Sequence, residues 1–341
     1  MLEKRKITER EMNGKEQYKK LKKISESAPA QRTPEWFDMR KTRITASNIG
    51  SCLRKNYVVC EGYIKEFGLE NYFNTNDEEF CNPYSNLDDF LLQKAGYTQY
   101  VSSEATSWGT RLEDCCLSFY RRITGSKVRE FGLIPHPIIP YLGCSPDGIS
   151  TEGVMLEIKA PFRRQLKGYP PIYYWIQCQI QLEVCDLELC DFIECQIDMI
   201  SLDDFLNETL DNSVIVTQSG SKITKCQAKG LYLKYKGDKE DKYIYPKWNL
   251  SYSEQLDWVN RKINKYPSFG LEIEYYYVKS YTLNTIKRNK EWFRRIEPML
   301  QNVYKKMMSY TEEDYSEIKK QKETKEKNNQ EVVLDLEDCL L

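Results

Sequence analysis

Histidine is almost absent from this chain of 341 residues, which contains one, His136. Catalytic sites of the Ser-His-Asp or Cys-His type need an imidazole beside the nucleophile, and a zinc protease helix needs two histidines four residues apart. His136 lies between two prolines, a position typical of a loop. If the chain is an enzyme, its chemistry therefore depends on carboxylates, lysines and a metal ion.

Three further absences limit where and how the chain acts. The formal net charge is only -1, which excludes a uniformly basic coat for nucleic acid. No stretch approaches the ~20 apolar residues of a transmembrane helix, and the first residues lack the apolar core of a secretory signal. The 12 cysteines include no C-x-x-C pair. These features predict free thiols in an intracellular, reducing compartment, with no membrane partner.

The chain divides into three parts by composition. Residues 1–30 form a basic N-terminal extension that is frayed or helical, residues 31–310 hold the periodic segments, and residues 311–341 are rich in Lys and Glu. We expect the last part to be a disordered charged tail. In the middle part, helices are predicted at about 106–124 and 171–185 and strands at about 142–149, 154–160 and 192–199. This pattern predicts an α/β fold.

The most informative segment runs from Cys144 to Lys159. Gly153 supplies a turn between two apolar, extended flanks, which predicts a β-hairpin. Asp147 and Glu157 then lie opposite each other, and Lys159 leaves its strand on the same face as Glu157. Two carboxylates and the Ile158 backbone carbonyl are hard oxygen ligands suited to Mg²⁺, with Mn²⁺ as a substitute. An ordinary surface hairpin with a cross-strand ion pair would give the same short pattern.

The surrounding motifs resemble the lambda exonuclease/YqaJ-type viral recombinase family of PD-(D/E)XK nucleases. They occur in one order along the chain: Trp36-x3-Arg40 with Ile44-Thr45-Ala46-Ser47, Trp108-Gly109-x3-Glu113, Cys144-Ser145-Pro146-Asp147-Gly148, Glu157-Ile158-Lys159-x-Pro161-Phe162, and Tyr174-x2-Gln177-x-Gln179. The resemblance covers about residues 31–200, with a closing helix near Trp292. It implies a restriction-endonuclease-like core, in which helices flank a central mixed β-sheet.

The resemblance also implies a role for each matching residue. Asp147, Glu157 and the Ile158 carbonyl would bind the metal, with Glu113 in its outer shell. Lys159 would activate the attacking water, and Gln177 would position that water or the scissile phosphate. The 5′-terminal phosphate would bind to Arg40, Ser47 and Ser145. The implied activity is hydrolysis of double-stranded DNA from its ends in the 5′-to-3′ direction, which exposes 3′ single strands for recombination or repair in viral DNA metabolism.

The implied partners are double-stranded DNA ends and a single-strand annealing protein, and the implied assembly is a homotrimer. A segment at about 201–260, additional to the compact phage version of the family, puts that trimer in doubt. If the chain is viral, it would act in the host cytoplasm or nucleus. Two alternatives stay open: a RecB-like nuclease with an iron–sulfur cluster, and a non-catalytic binding or regulatory module with a nuclease fold.

Overall fold

The computed structural model describes residues 9–71, 73, 75, 78–98, 102–207, 215–216, 222–223, 228–238 and 240–324. Its helices are α1 (Glu9–Ser27), α2 (Pro34–Lys41), α3 (Ile49–Cys52), α4 (Tyr57–Phe67), α5 (Leu87–Lys94), α6 (Glu104–Thr124), α7 (Ile172–Cys185), α8 (Leu202–Leu206), α9 (Tyr252–Lys265) and α10 (Lys290–Ser309). Its strands are β1 (Ile44–Thr45), β2 (Val128–Arg129), β3 (Ile134–Pro135), β4 (Leu142–Cys144), β5 (Gly148–Ser150), β6 (Met155–Lys159), β7 (Leu189–Ile200), β8 (Ile215–Val216), β9 (Lys222–Ile223), β10 (Lys229–Lys236), β11 (Asp241–Ile244) and β12 (Glu272–Lys287).

A mixed sheet forms the centre of the fold, with the strand order β11-β10-β12-β7-β6-β5-β2. Strands β6 and β7 are parallel, and the other neighbours in this sheet are antiparallel. Helix α7 packs in the core on one face of the sheet with Met155, while α6 packs with Leu156 and Ile158 on the other. The predicted α/β class, a central mixed sheet flanked by helices, is confirmed.

The alternation of side chains along β6 determines which residues face α7. Because successive side chains of a strand point to opposite faces, Glu157 and Lys159 leave the sheet on the side of Met155 and α7. Leu156 and Ile158 are buried against α6 instead. The polar residues of β6 are thereby brought under one helix.

The predicted hairpin is confirmed, because β5 pairs antiparallel with β6 and Gly148 faces Leu156. Its turn contains Gly153 at a φ of 81°, a left-handed conformation that glycine adopts without a steric cost. The prediction of one strand over 142–149 is wrong. Strand β4 ends at Cys144 and belongs to a separate sheet of order β1-β4-β3, and β5 begins at Gly148. Pro146, which has no N–H to donate, lies in the break.

The segment at about 201–260 is part of the central sheet. Strands β10 and β11 extend the sheet beyond β12, and α9 packs on β10 through a small apolar cluster that includes Val259 and Leu231. The predicted added segment is therefore not a separate appendage over its described residues.

The N-terminal extension is helical from Glu9 and packs on the domain. Leu21 of α1 is buried in the main core, and the Gln17 side chain donates a hydrogen bond to the Cys185 carbonyl at 2.8 Å. None of the helices in the described ranges is both long and apolar enough to span a membrane.

The expectation of a disordered tail over 311–341 needs a correction. Residues 312–324 form a helix, and residues 325–341 lie outside the described residues. Tyr315 is buried and stacks on Tyr97 with ring centroids 5.3 Å apart, while Ile318 packs on the main core. Tyr315 and Ile318 are three residues apart, so one helix face is apolar. The Lys and Glu residues, whose high content was the basis of the prediction, lie on the other faces of this helix.

Candidate active site

The Glu157 carboxylate is the centre of the site. Its side chain is 0% exposed, and its Oε1 accepts hydrogen bonds from Lys159 Nζ and, at 2.6 Å, from Gln177 Nε2. The other oxygen, Oε2, accepts from Gln181 Nε2 at 2.8 Å. Both glutamines lie on α7, four residues apart, so they share one face of that helix. Helix α7 and strand β6 together hold the carboxylate in one orientation.

Asp147 lies beside Glu157, as the hairpin register requires. Its Oδ2 accepts a hydrogen bond of 2.7 Å from the Ile158 backbone N–H. The N–H and C=O of one residue point to the same side of a strand, so the Ile158 carbonyl is also on the Asp147 side. Burial, with the nearby charges of Glu157 and Glu113, raises the pKa of Asp147 well above its ordinary value. The site thus concentrates carboxylate and carbonyl oxygens around Asp147 and Glu157.

Lys159 supplies the positive charge nearest to these carboxylates. Burial acts to lower the pKa of Lys159, but the charges of Glu157 and Asp147 together raise it well above its ordinary value. Its Nζ also lies 4.8 Å from the centre of the Tyr174 ring. Lys159 is therefore a charged donor at neutral pH, suited to orienting a water or stabilising a phosphate rather than to removing a proton.

Glu113 reaches the same region from α6. Burial raises its pKa, and the charges of Arg32 and Lys159 partly oppose that effect. The Arg32 guanidinium pairs with Glu113 at 2.9 Å. Arg32 has a left-handed backbone with a φ of 67°, which is uncommon for a residue with a side chain. The segment just before α2 therefore contacts the acidic site directly.

Two residues of this site had no role in the sequence prediction. Gln181 could have been found from its spacing of four from Gln177, which places both on one helix face. Arg32 could not, because its contact with Glu113 joins residues 81 positions apart. The predicted Gln179 of the same motif has a structural role, since it bonds to the Lys287 carbonyl and the Asn289 N–H.

The three residues predicted to bind a terminal phosphate are connected through Trp36. The Arg40 guanidinium lies 4.2 Å from the Trp36 ring centre and donates to Ser47 Oγ at 3.2 Å. Trp36 Nε1 donates to Ser145 Oγ at 3.0 Å. Thr33 caps α2 by accepting a hydrogen bond from the Trp36 N–H, and Pro34 occupies the first turn. These two residues determine where α2 begins, and so where Trp36 and Arg40 lie on it. Arg40, Ser47 and Ser145 therefore form one polar cluster.

A second cation lies next to this cluster. Lys94 Nζ donates to the Arg40 carbonyl at 2.6 Å, and burial, followed by the charge of Arg40, lowers the pKa of Lys94 to about 7. Burial also lowers the pKa of Arg40 to about 10. In the described part of the chain, neither cation has a carboxylate ion-pair partner. This arrangement favours an anion at the cluster.

Cysteines in the described ranges are buried and free, and several lie in pairs. Cys144 Sγ and Cys185 Sγ are 3.5 Å apart, and Cys116 contacts Cys195. Over the described residues, no three His, Cys, Asp or Glu side chains are grouped so that they could hold a metal ion by themselves. The predicted metal site differs from such a group, because one of its ligands is the backbone carbonyl of Ile158.

Comparison with known proteins finds similarity over the part of the chain that holds most of these residues. The family model of the YqaJ-like viral recombinase domain matches residues 35–188, the range that holds Arg40, Asp147, Glu157 and Gln177. An uncharacterized protein of Acanthamoeba polyphaga mimivirus is 29% identical over 266 residues, which cover 67% of this chain and 48% of the relative. The chain thus spans about half the length of that curated relative.

Two solved structures are also similar to this chain. An alkaline exonuclease from Laribacter hongkongensis is 20% identical, with a TM-score of 0.44, over 86% of this chain and 99% of that one. A phage-related exonuclease from Haemophilus somnus 129PT is 10% identical, with a TM-score of 0.39, over 78% of this chain and 95% of that one. Through residues 35–188, the chain is similar to the YqaJ-like viral recombinase domain family.

Proposed function

We propose that this chain is a metal-dependent DNA exonuclease. It would degrade one strand of a duplex in the 5′-to-3′ direction, from a 5′-phosphorylated end, and leave a 3′ single strand for recombination or repair in viral DNA metabolism. The observation that carries this proposal is the convergence of Asp147, Glu157 and Lys159 on one face of the β5–β6 hairpin, under helix α7.

The residues present fit a divalent cation. Asp147 and Glu157 provide carboxylate oxygens, the Ile158 carbonyl lies on the same side, and the raised pKa of Asp147 reflects negative charge that a cation would neutralise. Mg²⁺, or Mn²⁺ in its place, would polarise a phosphoryl oxygen and lower the pKa of a bound water. Glu113 would act from the outer shell once its contact with Arg32 is exchanged for one with the hydrated cation.

The remaining steps belong to the protein's own side chains. Lys159, which pairs with Glu157, would hold the attacking water or stabilise negative charge on the phosphate. Gln177 and Gln181 keep Glu157 in place, and Gln177 can also contact the water or the scissile phosphate. Arg40, Ser47 and Ser145 would hold the terminal phosphate, for which the planar Arg40 fork is suited.

The contacts of the site favour this function over the two alternatives. A retired nuclease fold has no chemical reason to keep a buried Glu157 with three donors around it. An iron–sulfur cluster needs four cysteines together, whereas those with described neighbours form buried pairs. Cys226 and Cys339 lie outside the described residues.

Partners and assembly are also part of the proposal. Double-stranded DNA ends are the expected substrate, and a single-strand annealing protein is the expected recipient of the product. The homotrimer stays a prediction, as does action in the host cytoplasm or nucleus. Because β10 and β11 belong to the central sheet, a trimer would have to form around the sheet as extended by these strands.

Digestion of end-labelled duplexes tests the proposal. Duplexes with 5′-phosphate or 5′-hydroxyl ends are incubated with Mg²⁺ or with EDTA, and the labelled strands are separated on a gel. We expect mononucleotides released from the 5′ end in Mg²⁺, faster from phosphorylated ends, and none in EDTA. The Glu157→Gln variant is the matched control, since it keeps the shape of the side chain. Equal cleavage by that variant, or cleavage in EDTA, would exclude the proposed site.

A further inference from the structure

Four side chains next to the catalytic residues form a cation–aromatic surface: Trp108, Arg111, Phe162 and Arg163. The Arg111 guanidinium lies 5.0 Å from the Trp108 ring centre, and the Arg163 guanidinium lies 5.0 Å from that of Phe162. The two rings are 5.3 Å apart, which joins the two pairs into one continuous row. The row therefore alternates a cation, two rings and a second cation.

The residues of the cation–aromatic surface lie close in sequence to two residues of the active site. Trp108 and Arg111 lie on α6, five and two residues before Glu113. Phe162 and Arg163 follow Lys159, the last residue of β6, by three and four residues. Each half of the row is therefore joined by a few residues of chain to a residue of the site.

The two arginines of the surface have no carboxylate partner among the described residues. Neither Arg111 nor Arg163 forms an ion pair with a carboxylate in the described ranges, whereas the adjacent Arg164 is paired with the buried Glu194. Arg163 is exposed and Arg111 is half-buried, while Trp108 Nε1 and Arg111 Nε are themselves buried and have no acceptor among the described residues. The surface thus offers positive charge, chiefly that of Arg163, to a ligand with acidic oxygens.

The exposed guanidinium of Arg163 also offers a flat face. It lies over the Phe162 ring and belongs to an exposed side chain, so a second planar group can approach it from solvent. Nucleobases stack on arginine planes and on aromatic rings, and the same cations contact the phosphates between them. Planar groups joined by phosphates are the chemistry of a nucleic acid strand.

We propose that the cation–aromatic surface binds the cleaved DNA strand beside the scissile phosphate, with one base stacked on Arg163 and a phosphate held by Arg111 or Arg163. This inference rests on the proposed nuclease function and extends it, because it names the part of the protein that holds the strand on which Lys159 acts. Arg163 is then a substrate-binding residue that contributes to affinity rather than to the chemical step.

Binding in EDTA tests this without hydrolysis. The full-length protein is titrated with a short single-stranded oligonucleotide that carries one 2-aminopurine, at several salt concentrations. We expect Arg163→Gln to weaken binding about tenfold and to reduce the salt dependence by about one phosphate contact, roughly 0.7 in the slope of log K against log salt. Arg163→Lys should keep that slope but lose the quenching of 2-aminopurine, since an ammonium group has no plane on which to stack.

The matched control is Arg294→Gln, which removes one exposed charge from α10. It should leave both affinity and slope unchanged. If Arg163→Gln binds like the native protein, or if Arg163→Lys quenches normally, the proposed surface is wrong. In Mg²⁺, Arg163→Gln should raise KM and leave kcat within about twofold, as expected for a contact made equally in ground and transition states.

Failure of the inference and failure of the proposed function give different results. A protein that cuts duplex ends normally but whose Arg163 variants bind like the native chain would contradict only the inference. If the native protein quenches 2-aminopurine, Arg163→Lys does not, and the native protein fails to cut DNA in Mg²⁺, only the proposed function is contradicted.

Discussion

Asp147 shows at the scale of a single residue how function and stability oppose each other in this site. Burial, together with the nearby charges of Glu157 and Glu113, raises the pKa of its carboxyl group well above the ordinary 3.8. A charge in such a place destabilises the fold when no cation is bound. The same charge is what a divalent cation requires.

The first prediction concerns Asp147→Asn. The folded pKa is above the unfolded one, so the native carboxylate weakens the metal-free fold increasingly as the pH rises from about 4 through the folded pKa. Asparagine can still accept the Ile158 N–H but carries no charge. We therefore expect a higher Tm than the native protein in EDTA at pH 8, no difference near pH 3, and no cleavage in Mg²⁺. A lower Tm at pH 8 would contradict this account of the site.

The second prediction concerns Lys159→Ala. This change removes a charged donor but no metal ligand, while Gln177 and Gln181 still hold Glu157. We expect single-turnover cleavage to fall by about 10²-fold, the scale of one lost transition-state donor, with Mn²⁺ binding retained in calorimetry. Lys167→Ala, at an exposed lysine in the loop between β6 and α7, is the control and should cleave normally. Loss of Mn²⁺ binding would show that Lys159 is structural.

At the scale of elements, α2 acts as a support for the predicted end-binding cluster. Its cap fixes Trp36, and the Trp36 ring holds Arg40 near Ser47. Arg40 is one helical turn from Trp36, so the ring and the guanidinium meet. The cap of α2 therefore determines, through Trp36, where the Arg40 guanidinium lies.

The third prediction follows from this arrangement. Arg40→Ala should slow digestion of 5′-phosphorylated duplexes, at a cost on the order of 1.5–3 kcal/mol for a charge-assisted pair, and hardly affect 5′-hydroxyl duplexes. The control is Lys41→Ala, an exposed neighbour that pairs with Asp38 at 2.7 Å and should matter by well under about 1 kcal/mol. Rates on the two duplexes give the answer. Equal slowing on both would indicate a general DNA contact or a folding defect.

At the scale of the whole molecule, both ends of the described chain pack on the same core. Leu21 from α1 and Tyr315 from the helix at 312–324 are buried in the main cluster. Lys322 also forms an ion pair with Asp89 of α5. The folded unit therefore extends beyond residues 31–310 on both sides.

The fourth prediction compares two truncations. Removal of 325–341 should leave both Tm and nuclease activity unchanged. Removal of 311–341 should lower the Tm, because it exposes the core surface that Tyr315 and Ile318 cover. Thermal unfolding of both proteins, with cleavage measured well below the transition, checks this. If the shorter protein has the same Tm as the native chain, the helix at 312–324 does not contribute to the fold.

The sequence by itself determined the fold class and the hairpin, and its motifs indicated the family resemblance. These follow from local rules: Gly153 makes the turn, alternation places Glu157 and Lys159 on one face, and the order of the motifs carries the resemblance. Only the tertiary structure decided that Gln181 binds the second Glu157 oxygen, that Arg32 pairs with Glu113, and that Trp108 meets Phe162. Such contacts join residues 24, 81 and 54 positions apart, and their partners are set by packing and burial, which local periodicity does not encode. The helix at 312–324 was not predicted for the same reason. A Lys- and Glu-rich helix is stable only when its few apolar residues can pack against a core.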